Sequence, residues 1–350
     1  MATILVPETY ATINEAMLVA NSNDGDTISI AAGTYSESIK CQTSLGVSVP
    51  LHFVGRTGNP ADVIITGAGG TGGHGQVSIS QGGSISHCTV ISTSSSISAL
   101  SIGSISSTAG MIATNCIVKS ASIGVHVYQS GLVLDRCSII CTHKGTTTST
   151  YGIDADFLSA SKVYPKLYSC LVQDFNTYGI YMEGYGDVIN CTVQTDYVKW
   201  VYMRGIWAAN SYNNIFHNNS GVDMLLGIQA TTINNSISYG TKADLSGDFS
   251  GSQTSCYDSA AVIADGNPVF EDEAADDFTI NASSLAYQNG TYAWQTANSV
   301  ALTDLVDVAY DTSTPAIGCY EFVSAGGGPT NSVIKSMGGG FLSSPFSLTP

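Results

Sequence analysis

The tetrapeptides "NCIV" at 115–118 and "NCTV" at 190–193 each set a cysteine directly ahead of two β-branched residues. "HCTV" (87–90), "RCSI" (136–139) and "SCLV" (169–172) repeat the pattern, and "NNIF" (213–216), "NNSI" (234–237) and "SCYD" (255–258) extend it. The marker position runs Cys88, Cys116, Cys137, Cys170, Cys191, Asn214, Asn235 and Cys256. Subtracting neighbours gives intervals of 28, 21, 33, 21, 23, 21 and 21 residues. A base period of 21 with insertions is too short for the common helical repeats, and the β-branched flanks favour strands.

A second element repeats beside the first: Gly124-Val125, Gly152-Ile153, Gly179-Ile180, Gly205-Ile206 and Gly227-Ile228. Each coil therefore carries at least two short strands separated by Gly, Asn and Ser turns. Such strands bury their apolar face only by stacking on the next coil. The expectation is an all-β chain, a right-handed parallel β-helix with coils about 4.8 Å apart. Six of the nine cysteines share one register, so they form an inward ladder of reduced, small side chains.

Both ends of a solenoid need covering. Thr12-Ile13-Asn14-Glu15 is a capping box, and Ile13, Ala16, Met17 and Ala20 share one helical face that can plug the first coil. These signals divide the chain into a cap with an amphipathic helix (1–24), the coils (25–264), a closing segment or C-terminal cap (265–323) and an extended, glycine-rich arm (324–350).

Charged residues make up only 11%, and the net charge is −16. An acidic surface repels nucleic acid and anionic membranes, so neither is an expected partner. No apolar run reaches the roughly 18–20 residues that span a bilayer. "MATILVPETY" lacks a basic segment and a long apolar core, so it does not read as a signal peptide.

"YATINEAMLVANSNDGDTISIAAGTYSESI" (10–39) resembles the N-terminal cap and first coil of pectin-lyase-like right-handed β-helix proteins. "DGNPVF" (265–270), "DFTINASSLAYQNG" (277–290) and "STPAIGCYEF" (313–322) are similar to the closing segment of that superfamily. The resemblance covers roughly residues 3–322 and implies the fold. It leaves function open, because such β-helices serve as polysaccharide lyases, hydrolases, adhesins and phage spikes. Of the polygalacturonase motifs, Gly73-His74-Gly75 matches one, Asp276-Asp277 falls far from it, and the Asn-Thr-Asp and Arg-Ile-Lys segments are missing. Pectate lyases need a calcium cluster and a catalytic arginine, and only Arg56, Arg136 and Arg204 are available.

Alternation along the Gly-Ile strands supplies a candidate site independent of family. With Val125, Ile153, Ile180, Ile206 and Ile228 inward, His126, Asp154, Tyr181, Trp207 and Gln229 point outward on successive coils. Tyr128, Asp156 and Glu183 follow two positions further on. Asp156 and Glu183 would then sit one coil apart, near the ~5 Å carboxylate separation of retaining glycosidases. Asp154, Asp156 and Glu183 are thus the candidate catalytic acids. His126, Tyr128, Tyr181, Trp207 and Gln229 are the candidate glycan contacts, since ring faces stack on sugar C–H surfaces. A solvated, tyrosine-rich β-face accounts for the same residues. No cofactor is expected, although the acidic run Glu271-Asp272-Glu273 with Asp276-Asp277 offers oxygen ligands for calcium.

The end of the chain, "SVIKSMGGGFLSSPFSLTP" (332–350), carries one charge and a scatter of apolar residues between glycines. Val333, Ile334, Met337, Phe341, Leu342 and Phe346 read as anchors of a docking arm that binds other subunits of a particle. The expected protein is a β-helical structural subunit of a virion (decoration, fibre or spike), oligomeric and commonly trimeric, with a cell-surface glycan as a possible ligand. The alternatives are a polysaccharide-degrading enzyme or depolymerase, and an extracellular or cell-surface adhesin.

Overall fold

A computed structural model describes residues 2–20, 25–41, 50–68, 75–79, 82–102, 111–128, 131–142, 149–156, 164–182, 185–195, 204–218, 226–240, 249–272, 275 and 277–322. The arm anchors from Val333 to Phe346 lie outside these residues. The described chain is an all-β parallel solenoid with few helices. A typical coil has three strands, one more than the two repeat elements require. Ser84–Ser86, Thr89–Ser92 and Leu100–Ile102 make one coil, and Met111–Thr114, Ile117–Ser120 and Ile123–Tyr128 the next. Like strands stack in parallel register into three ribbons, named here in chain order. The second ribbon is a sheet of nine strands, from Gly33–Tyr35 to Ile237–Gly240. The first and third merge into an 18-stranded sheet, because Leu226–Asn234 pairs with strands of both.

A left-handed residue makes the corner between the first and second ribbons. His87, Asn115, Arg136, Ser169, Asn190, Asn213, Asn235 and Ser255 all have φ between 44° and 56°. Asparagine tolerates this region better than most residues, which explains its recurrence. The next residue turns inward where only a small side chain fits. Cys88, Cys116, Cys137, Cys170 and Cys191 are fully or almost fully buried there, and all nine cysteines are free thiols. Each donates to the carbonyl two residues back, as Cys88 does to Ser86 (3.2 Å) and Cys170 to Tyr168 (3.2 Å). Burial pushes the Cys88 thiol up to about 12, so this rung stays protonated.

One rung of the expected ladder is shifted. Asn235 is the corner residue, and Ser236 takes the inward place, donating to the Asn234 carbonyl (3.1 Å) as the cysteines do. The last two intervals are therefore 22 (Asn214 to Ser236) and 20 (Ser236 to Cys256). Tyr212 pairs with Asn234, which sets Asn235 opposite Asn213. Two adjacent asparagines hid this register in the sequence.

The N-terminal plug is helix α1 (Ile13–Ala20), with Ile13, Ala16, Met17 and Ala20 buried as the periodicity requires. Its capping box forms: Glu15 N donates to Thr12 Oγ1 (3.1 Å) and Thr12 N to Glu15 Oε2 (3.3 Å). Glu37 holds the same helix end from the first coil, accepting from Ile13 N and Asn14 N at 3.0 Å each.

The C-terminal segment does more than close the last coil. Helix α2 (Ser259–Asp265) packs Val262 into the cluster containing Ile237 and Tyr239, and Gly266 ends it in the left-handed region at φ 77°. The chain then returns along the corner asparagines toward earlier coils. Asn235 Nδ2 donates to Asn289 O (2.8 Å), and the Asn213 amide both donates to Thr291 O and accepts from Thr291 N at 2.8 Å. Ser169 Oγ donates to Thr303 O (2.6 Å), and Arg136 pairs with Asp307. Phe270, Phe278, Ile280, Leu285 and Ile317 cover Leu171, Ile215, Ile237 and Tyr239 on the outside of the second ribbon. Trp294, Leu302 and Tyr310 pack on Tyr168 and Ile189 of the first.

Candidate functional site

The third ribbon owes its shape to its glycines. A Cβ on Gly152 would lie 2.3 Å from the Gly179 carbonyl oxygen and 2.6 Å from Val172 Cγ1. One on Gly124 would lie 2.5 Å from the Gly152 carbonyl oxygen and 2.3 Å from Ile139 Cγ2. Backbone must approach backbone here and the inner side chains of the second ribbon must fit beneath, so only glycine serves. Beyond this pinch, Val125, Ile153, Ile180, Ile206 and Ile228 stack in register and are wholly buried.

The next column is the predicted one. His126 pairs with Asp154, Asp154 with Tyr181, Tyr181 with Trp207, and Trp207 with Gln229. Asp154 is buried, at 6% exposure, while His126, Tyr181, Trp207 and Gln229 are half-buried. Tyr128 and Asp156 are partners in backbone register, but their side chains, and the whole of Glu183, lie outside the described residues. His74 and Asp276 lie outside them as well.

Sequence alternation missed two tyrosines. Tyr151 and Tyr178 precede the glycine, and the pinch brings their rings to the same side as the column after it. Tyr151 stacks on Tyr178 (centroids 5.6 Å, planes 24° apart), Tyr178 leans on Tyr181 (4.8 Å), and Tyr181 meets Trp207 edge-on (5.2 Å, 67°). The result is a continuous file of four half-buried rings with Asp154 at its side. The pairs Tyr151-Gly152 and Tyr178-Gly179 were the signal available in the sequence.

In the acidic run, Asp277 Oδ1 accepts from Thr279 N (3.1 Å) and Thr279 Oγ1 (2.5 Å), and Asp272 Oδ1 accepts from Ala275 N (3.3 Å). Among the described residues, no group of three or more His, Cys, Asp or Glu side chains converges as a metal site. No described helix is long and apolar enough to cross a membrane.

Sequence comparison sets the solenoid in a family without fixing its chemistry. No curated protein matches the sequence. A family model described as "Protein of unknown function (DUF1565)" matches residues 7–268, from the turn before α1 to the start of the returning segment. The chain, a parallel β-solenoid, belongs to the DUF1565 family.

Proposed function

We propose that this solenoid is a carbohydrate-binding structural protein that presents the outer face of its third ribbon to a glycan. The observation that carries the reading is the unbroken file Tyr151, Tyr178, Tyr181 and Trp207. Half-buried rings held by a rigid ribbon lose little freedom on binding, and their faces suit the C–H surfaces of pyranose rings. Asp154 and Gln229 stand in the same column. The net charge of −16 favours neutral or cationic sugars over uronate-rich ones. A subunit displayed on a virion, as a decoration, fibre or spike, is the setting that the repeat architecture supports.

A hydrolytic role for the same face would engage Asp154 with Asp156 and Glu183. The burial of Asp154 beside the ring file is the observation in its favour. Binding to a glycan array separates these readings. Trp207→Ala and Tyr181→Ala should each weaken binding by about 1–3 kcal/mol with the fold intact. Loss of polysaccharide cleavage in Glu183→Gln, with binding retained, would establish the enzyme instead. No binding by the unmutated protein across neutral and acidic polysaccharides would overturn both.

A further inference from the structure

The returning segment covers only part of the second ribbon's outer face. Its corner contacts stop at Arg136, which Asp307 engages. Beyond that point the ladder continues as Asn115 and His87, and the face as Ile140, Ile117 and Ile91. Asn115 makes no side-chain hydrogen bond to another described residue, and His87 Nδ1 is buried without one. The three isoleucines are half-buried. Lys119 stands between Ile91 and Ile140 in register, partly desolvated and without an acidic partner among the described residues.

This strip, which the described return leaves uncovered, has the same plan as the covered part. There, corner asparagines bind peptide backbone while Ile215 and Ile237 receive apolar side chains. The described chain ends two coils from the strip. Cys319 N donates to Thr192 Oγ1 (3.1 Å), and Phe322 lies edge-on to Tyr287 at 5.2 Å. Leu171 separates Thr192 from Ser138, which shares a strand with Ile140. The ten residues from 323 to 332 can extend to roughly 30 Å. From Thr192 the strip is two to four coil rises away, at about 4.8 Å each.

We propose that the apolar residues of this chain's own arm, Val333 to Phe346, continue the return and seat on the strip from Ile140 to Ile91. The arm is then part of the subunit's own outer layer, and its anchors are spent before any neighbour is met. Glycine-rich backbone suits the site, because Asn115, His87 and Lys119 offer polar contacts to carbonyls and amides.

The test uses the full chain with a photoreactive benzoylphenylalanine in place of Phe341, in a mixture of light and heavy isotope-labelled protein. The expected adducts lie within one chain, on peptides containing residues 87–92, 115–120 or 136–141. Adducts joining light to heavy chains, adducts on the third ribbon, or no adducts would overturn the proposal. Ile117→Asp should lower the adduct yield about tenfold, with Cys88, Cys116 and Cys137 still shielded from thiol reagents as proof of fold. An undiminished yield would also overturn it, and the adduct map itself needs no substitution in the strip.

Discussion

The second and third ribbons are built from the same short parallel strands, yet their outer faces have opposite fates. Outside the second ribbon, Leu171, Ile215 and Ile237 lie beneath the chain's own return, with His217 stacked on Tyr239 at 4.4 Å. Outside the third, Tyr151, Tyr178, Tyr181 and Trp207 remain half-exposed. The difference is one of side-chain chemistry. Aliphatic residues gain stability in proportion to the area removed from water, so the chain's own cover stabilises this face. Tyrosine and tryptophan carry a polar tip and stay half wet at small cost, which leaves their faces available to a ligand.

The contrast breaks most visibly if the cover is loosened. Phe270 is 2% exposed and sits edge-on to Phe278 at 5.1 Å and to His217 at 6.1 Å. Phe270→Ala should destabilise the return by about 3–5 kcal/mol. Limited proteolysis should then cut within residues 268–322 while the thiol ladder stays shielded. Cleavage within the coils at the same rate would show that the two faces are not independent.

Acidity should shift the same balance by somewhat less. Burial lifts Asp304 to about 6 and Glu321 to about 7, against backbone N–H donors that favour their charged forms. Their folded values exceed the unfolded ones, so the neutral acids favour folding. That stabilisation is complete below the unfolded values near pH 4 and is lost as pH rises through about 6–7. The return should resist protease better at pH 5 than at pH 8, by on the order of a few kcal/mol. Equal resistance at both values would mean that the backbone donors hold these carboxylates ionised.

The smallest effect sharpens the comparison at one residue. Asn213 supplies two bonds to Thr291 and one to Asn190 Oδ1 (2.8 Å) from a left-handed corner. Asn213→Ala should cost about 1–3 kcal/mol and raise hydrogen exchange at Thr291, without altering exchange in the Tyr178–Tyr181 strand. A change in that strand would couple the two faces.

Much of this fold was legible because a repeat states its rule many times. The small residue after each corner, the buried face of α1 and the stacked His126-to-Gln229 column all follow from local periodicity. Errors arose where local rules gave two answers. Asn234 and Asn235 were interchangeable as text, and only pairing with Tyr212 decides between them. Strict alternation assigned one outward residue beyond each glycine and overlooked Tyr178, because the pinch turns the residue before it outward as well. The path of the return was not legible at all. Its contacts join residues as distant as Ser169 and Thr303, and no periodicity links them.

The return also changes how the molecule should come apart. Coils of a solenoid touch only their neighbours, so such arrays can fray from either end one unit at a time. Here one strap ties Asn235, Asn213, Ser169 and Arg136 together across several coils. Losing the last coil then requires releasing contacts made far upstream, and the C-terminal half should unfold as a single cooperative block. The coils before His87 keep the graded behaviour of a simple stack.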